Sequence, residues 1–160
     1  MNFFTTEFFI QLLMALATSL AFAIIFRVGK RHLFLVGVCG TLTYAVYYTF
    51  LFFTSSLFVA AFVSSMVTSL FSEVFARLRH APTVVFLLPS IIPTVPGGSL
   101  YRGMRDLVTH HTDGAIQNFS ETLEVGIGIA GGIVAVSILY GIAIDKIAKH
   151  KKRIAEHRKK

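Results

Sequence analysis

Five long apolar stretches separated by short polar or charged ones dominate the chain, at residues 4–26, 33–53, 57–75, 83–101 and 121–144. Each is close to the roughly 20 residues a helix needs to cross a bilayer core. Residues 33–72 contain no charged side chain at all. Within that run only the polar residues 54–56 interrupt the apolar pattern, which predicts two antiparallel helices joined by a tight turn. The two-residue period of a membrane barrel is absent, and isolated lipid-facing strands would leave backbone groups unpaired. The pattern predicts an all-α integral membrane protein, a bundle of about five transmembrane helices with the fourth broken by Pro and Gly. It divides the chain into a transmembrane domain at 1–145 and a basic tail at 146–160. The first stretch lacks a basic leading region, carries Glu7 and Gln11, and is longer than the usual core of a cleavable signal.

Composition agrees and narrows the functional classes. Hydrophobic residues make up 54% of the 160 and charged residues 14%, against about 45–50% and 25% in ordinary globular domains. The spans leave no room for a soluble catalytic domain. No nucleophile–base pair, phosphate loop or pair of catalytic carboxylates falls within one, so no enzyme and no cofactor is expected. The single Cys39 lies in the second span and cannot form an intrachain disulfide.

The net charge of +7, taken alone, suggests nucleic acid, but its placement points to a membrane. Eight Lys and Arg crowd residues 146–160, while Arg27, Lys30 and Arg31 follow the first span and Arg77 and Arg79 the third. With five crossings all three groups share one side, which the distribution of positive charge assigns to the cytoplasm. The expected topology is N-terminus out and tail in, with the tail against anionic headgroups. Arg102 and Arg105 fall on the outer side, balanced by Asp106, Asp113 and Glu121. A re-entrant fourth span would bring these arginines inside but drive the more basic tail outside.

The candidate chemistry centres on the fourth span. All four prolines fall at Pro82, Pro89, Pro93 and Pro96, and Gly97 and Gly98 follow directly. Each proline inside a helix removes the bond to the carbonyl four residues earlier, so the carbonyls of Val85, Pro89 and Ile92 are predicted to be free. The glycine pair can adopt positive φ and break the helix. A helix broken near the midplane is the device by which secondary transporters hold substrate, with carbonyls facing a cation and amides facing a carboxylate. The predicted substrate-binding residues are therefore Pro89, Pro93, Pro96, Gly97, Gly98 and Ser99. A kinked helix without a ligand is the alternative.

Ionisable groups near the bilayer are few, and each is a candidate by default. Glu73 and Arg77, one helical turn apart, form either an interfacial ion pair or a gate or proton carrier; Glu7 and Glu124 are weaker candidates. His110, His111 and Asp113 offer metal-ligand types in a loop, but without a fourth ligand at fixed spacing no metal site is expected. Gly128 and Gly132 form a G-x-x-x-G pair. Gly37, Gly40, Ser65, Thr68 and Ser72 add small residues at helical spacing, a pattern that lets helices pack closely.

The segment Pro89-Ser-Ile-Ile-Pro-Thr-Val-Pro-Gly-Gly-Ser-Leu-Tyr101 resembles the threonine/serine exporter family, specifically its short, five-span C-terminal half. The resemblance extends to the residues around Glu73–Arg77 and to the apolar run before the basic loop at Arg27, and covers nearly the whole chain. The family often carries Gly where this chain has Ser90, and a different residue near Lys30. The resemblance implies a small subunit of a two-chain secondary transporter driven by the proton motive force. Its partner would be a second five-span subunit resembling the N-terminal half. The implied substrate is threonine or serine or a related small carboxylate, for which succinate is a candidate. A non-transporting membrane scaffold for a partner protein is the competing reading, and a homo-oligomeric channel a third.

Overall fold

The computed structural model describes residues 6–157, with side chains as far as 144 and at 146. The described residues are helical, without strands: α1 Thr6–Ile25, α2 Lys30–Thr54, α3 Leu57–Arg79, α4 Val84–Ile91, α5 Gly97–Val108 and α6 Thr112–His157, with a single 3-10 turn at Ile92–Thr94 between α4 and α5. Four helices are long and apolar enough to cross a membrane, and α4 with α5 makes a fifth candidate bent by 52°.

The predicted turn at 54–56 is present. Ser55 takes the left-handed conformation that ends α2, and Ser56 caps α3 by accepting from the Val59 amide at 3.4 Å. α1 and α2 also run antiparallel, with Phe8 against Tyr48 at one end and Gln11 bonded to Tyr44 at 3.3 Å. α4 lies in the groove formed by α1, α2 and α3. Its N-terminal end is fixed by Phe86, which is fully buried between His32 and Phe75.

α6 stands on the far side of α3. A Cβ at Gly128 would lie 2.8 Å from the Phe58 carbonyl, and one at Gly132 would lie 3.1 Å from the Met66 amide, so the two helices run parallel with backbones almost touching. Only 17% of its apolar window is buried, against 39% for α3, because within this chain α6 packs mainly on α3 and α5.

Two stretches differ from the sequence reading. Residues 110–113, expected as a loop, reduce to a turn at 109–111, where His110 takes a positive φ of 61°. α5 is helical because it is strongly amphipathic: Leu100, Met104, Leu107 and Val108 lie on one exposed face, while Ser99, Gly103 and Asp106 face α6. The basic segment from 146 continues α6 without a break as far as His157, while residues 1–5 and 158–160 lie outside the described range. Since Gly128 is level with the start of α3, the first sixteen residues of α6 run past it by about 24 Å. α5 packs antiparallel along this extension.

Candidate functional site

The break between α4 and α5 is assembled from single-residue choices. Pro89 sits inside α4 and is buried, and the backbone tightens to the 3-10 turn at Ile92–Thr94. Val95 is extended at φ −67° and ψ 130°, and Pro96, at φ −79° and ψ 52°, precedes the first residue of α5. α4 and the 3-10 turn together span eleven residues, about 16 Å, roughly half the thickness of a bilayer core.

Two details depart from the sequence reading. The Ile92 carbonyl is not free: it accepts from the Val95 amide at 3.0 Å, because the tighter turn supplies a donor in place of the one Pro96 lacks. Gly97 and Gly98 do not take positive φ. They form the first turn of α5, and Val95 and Pro96 make the break. The Gly97 amide reaches back to the Val95 carbonyl at 2.8 Å. The amides of Gly98 and Ser99 belong to the first turn, where no intrahelical acceptor exists. Gly97 and Gly98 are exposed, and a Cβ at Gly97 would meet nothing within 4 Å.

Beside the α4 half of the break lies a cluster of hydroxyls from four helices. Ser19 of α1, Thr43 of α2, Thr68 and Ser72 of α3 and Ser90 of α4 are all fully buried, and Thr94 is nearly so. Gly40 lets them meet: a Cβ there would lie 2.6 Å from the Ser19 Cβ and 3.5 Å from the Ser90 Cα. Thr43 and Thr68 share a 2.7 Å hydrogen bond between α2 and α3, and Ser90 donates to the Val36 carbonyl at 3.3 Å. The Cys39 thiol sits among the hydroxyls of Ser90, Thr43 and Ser72.

Most of these groups are satisfied, but among the described residues the Ser19 hydroxyl has no hydrogen-bond partner and the Ser72 hydroxyl has only the weakly bonding Cys39 thiol beside it. A buried polar group left unpaired costs about 1–3 kcal/mol. Both hydroxyls lie where four helices meet, beside the broken helix. The cluster contains no acidic or basic side chain. The nearest acid along α3 is Glu73, next to Ser72, and it is half-buried.

The α5 side of the break carries charge instead. The Ser99 hydroxyl donates to Glu121 at 3.2 Å and accepts from Arg102 at 3.0 Å. Arg102 also donates to Asn118 at 3.2 Å, and Asn118 in turn donates to Asp106 at 3.1 Å. Arg105 is paired with Asp106 at 2.9 Å.

α4 and α5 together form a helix pair bent by 52° at the break. The profile of the family described as Threonine/Serine exporter, ThrE, matches residues 11–139, from the first span to the last. The chain belongs to the threonine/serine exporter family. It is thus a membrane protein of a transporter family. No curated protein and no solved structure matches it significantly.

Within this family member, the predicted site residues fall into two places. Pro89, Pro93, Pro96, Gly97, Gly98 and Ser99 line the break in succession, with Pro89 in the buried half and the glycines on the open side. Glu73 and Arg77 lie elsewhere, at the C-terminal end of α3. They border an open cavity of about 630 Å³ with His80, Ala81, Pro82 and Thr83. They form no ion pair; the Arg77 guanidinium instead lies 5.0 Å over the Tyr140 ring of α6. Ser19, Thr43 and Ser90 were not among the predicted site residues, while Thr68 and Ser72 were read as a packing face. The available signal was the run of small hydroxyl residues at helical spacing on α3, together with the serine between two prolines.

Proposed function

We propose that the chain is the small subunit of a two-chain exporter for threonine, serine or a related small carboxylate such as succinate. In this reading five crossings, the fourth made of α4 and α5, carry the chain from an outer N-terminus to a cytoplasmic tail in a bacterial inner membrane. The partner is a second five-span chain, and the proton motive force drives export. The observation that supports it most is the opened helix at Pro93–Pro96 seated against a buried hydroxyl cluster in which Ser19 is unpaired and Ser72 has only the Cys39 thiol beside it.

The substrate carboxylate would meet the amides at Gly98 and Ser99, at the positive end of α5. Its hydroxyl or ammonium would turn toward the inner cluster, where Ser19 and Ser72 have bonding capacity to spare. Because the cluster is uncharged, it can orient a ligand but not carry a proton. Proton coupling then falls to Glu73 or to the partner chain, with Glu73 and Arg77 lining the inner mouth.

The test is efflux of preloaded labelled threonine, serine and succinate from cells expressing this chain, the partner, or both. Flux of one substrate with both chains only supports the proposal and names the substrate. Flux from this chain alone would make it a channel. No flux with both chains verified in the membrane would favour the scaffold reading.

A further inference from the structure

A second feature lies on the opposite side of α2 from the hydroxyl cluster. α1 and α2 carry between them an apolar surface groove of about 580 Å³, lined by Leu16 and Leu20 on one wall and Phe34, Val38 and Ala45 on the other. Gly37 forms its floor, since a Cβ there would sit 2.9 Å from Leu16 and 3.2 Å from Leu20. The one polar side chain in the lining, Thr41, spends its hydroxyl on the Gly37 carbonyl at 2.9 Å. The groove therefore offers nothing to a polar guest.

Its length and mouth define what it does suit. From Phe34 to Ala45 it follows eleven residues of α2, about 17 Å, close to the roughly 15 Å depth of one leaflet's hydrocarbon. At its foot is the four-residue loop between α1 and α2, bounded by basic residues. Arg27, Lys30 and Arg31 are exposed, and none has an ion-pair partner among the described residues. Lys30 and Arg31 stand one turn below Phe34, on the same face of α2 as Val38. The Arg27 backbone is fixed by a bond from its amide to Ile24 at 3.0 Å, and the next amide, Val28, bonds Ala23 at 2.9 Å.

We infer that this groove and loop form a binding site for an anionic phospholipid of the bilayer. One acyl chain lies along Phe34–Ala45, and the phosphate is held by Arg27, Lys30 and Arg31. The charge at the mouth is what selects a lipid over a partner helix: an apolar helix seated in the groove would end against three unpaired cations, whereas a phospholipid brings a phosphate to that level. The site needs only that the chain is embedded in a bilayer, so it stands or falls separately from the transport reading.

The native chain has no Trp, which makes one introduced indole a clean reporter. Phe34→Trp replaces one exposed aromatic ring by another at the groove mouth, and Val134→Trp, on the exposed face of α6 away from the basic groups, reports bulk lipid. Each full-length variant is reconstituted in phosphatidylcholine vesicles containing a minor fraction of chain-brominated phosphatidylglycerol or brominated phosphatidylcholine. The expected result is that the anionic lipid quenches the Phe34→Trp variant well above the Val134→Trp variant, with no such excess for phosphatidylcholine.

Neutralising Arg27, Lys30 and Arg31 to Gln should lower the enrichment by about fivefold for each residue that engages the phosphate, the factor equal to about 1 kcal/mol. Val38→Phe, which fills the groove and leaves the loop intact, should remove it as well. Equal quenching by both lipids at the two positions would overturn the site. Enrichment that survives Val38→Phe would reduce it to surface attraction and overturn the groove's part in it. An indole at position 34 that neither lipid quenches would mean that protein covers the groove, which also overturns the site.

Discussion

The glycines of α6 divide sharply by what surrounds them, and that contrast can be tested within one helix. At Gly132 an added Cβ would fall 2.5 Å from the Phe62 carbonyl oxygen, 3.1 Å from the Met66 amide and onto the Ser65 hydroxyl. Two of these three are backbone atoms of α3 and cannot rotate away, so Gly132→Ala forces the helices apart. Overpacking of this kind costs about 1–3 kcal/mol, and a gap of roughly 0.5–1 Å forfeits a quarter to a half of each dispersion contact along the seam. Alanine's higher helix propensity returns at most about 1 kcal/mol. The expected net loss is about 1–2 kcal/mol. Gly126 and Gly141 have nothing within 4 Å of the same virtual atom, so Gly126→Ala and Gly141→Ala should be neutral or slightly stabilising. Reversible unfolding of the purified chain in mixed micelles, followed by circular dichroism, measures all three. Gly132→Ala as stable as Gly126→Ala would refute the close α3–α6 seam, and with it the placement of the α5–α6 hairpin.

The other predictions concern the break and its surroundings. Ser72→Ala removes a buried hydroxyl with only the Cys39 thiol beside it, so stability should hold or rise by up to about 1–3 kcal/mol. Export should nevertheless fall if the substrate uses that oxygen, and paired stability and efflux measurements separate the two. Thr68→Val breaks the 2.7 Å bond to Thr43 and should cost only about 0.6 kcal/mol, the average for such bonds between membrane helices, read from the same unfolding curves. Asn118→Ala deletes its bonds to Arg102, Asp106 and the Gly114 carbonyl. Amide exchange across 97–108 should quicken as α5 loosens from α6, while exchange in α2 and α3 stays unchanged. Pro93→Ala restores an amide and should let α4 lengthen, leaving the fold as stable but lowering export; unchanged export would point to a kink without a role.

Much of the bundle could be read from the chain because hydrophobic length is a blunt and reliable signal. The run without charge at 33–72 specified α2, α3 and the turn between them, and the prolines located the break. What escaped the sequence depends on neighbours. The charges between Arg102 and Glu121 suggested a loop, yet they fold as a helical hairpin because they pair with one another across α5 and α6 and leave Leu100, Met104 and Leu107 together on the other face. The hydroxyls on α3 looked like packing residues, and several do satisfy themselves locally, as Thr68 does on the Ser64 carbonyl at 2.7 Å. Only the convergence of α1, α2 and α4 at Gly40 reveals that Ser19 is left over and that Ser72 has only a thiol beside it. Similarly, Gly97 and Gly98 invited a reading through positive φ, whereas the extended Val95 and Pro96 accomplish the break and leave the glycines as the open, uncrowded start of α5.

That openness makes Gly97 the most direct probe of the proposal that the break seats the substrate. A Cβ there would meet nothing within 4 Å beyond its own neighbours along the chain, so this chain has room for Gly97→Ala. The measurement is efflux of labelled threonine, serine and succinate from proteoliposomes holding both chains, for native protein, Gly97→Ala and Gly97→Leu, with assembly verified in each. Near-native export by the alanine variant and none by the equally well assembled leucine variant is the predicted result. Export by Gly97→Leu at the native rate would contradict the account, because a substrate held at those amides could not pass the added side chain.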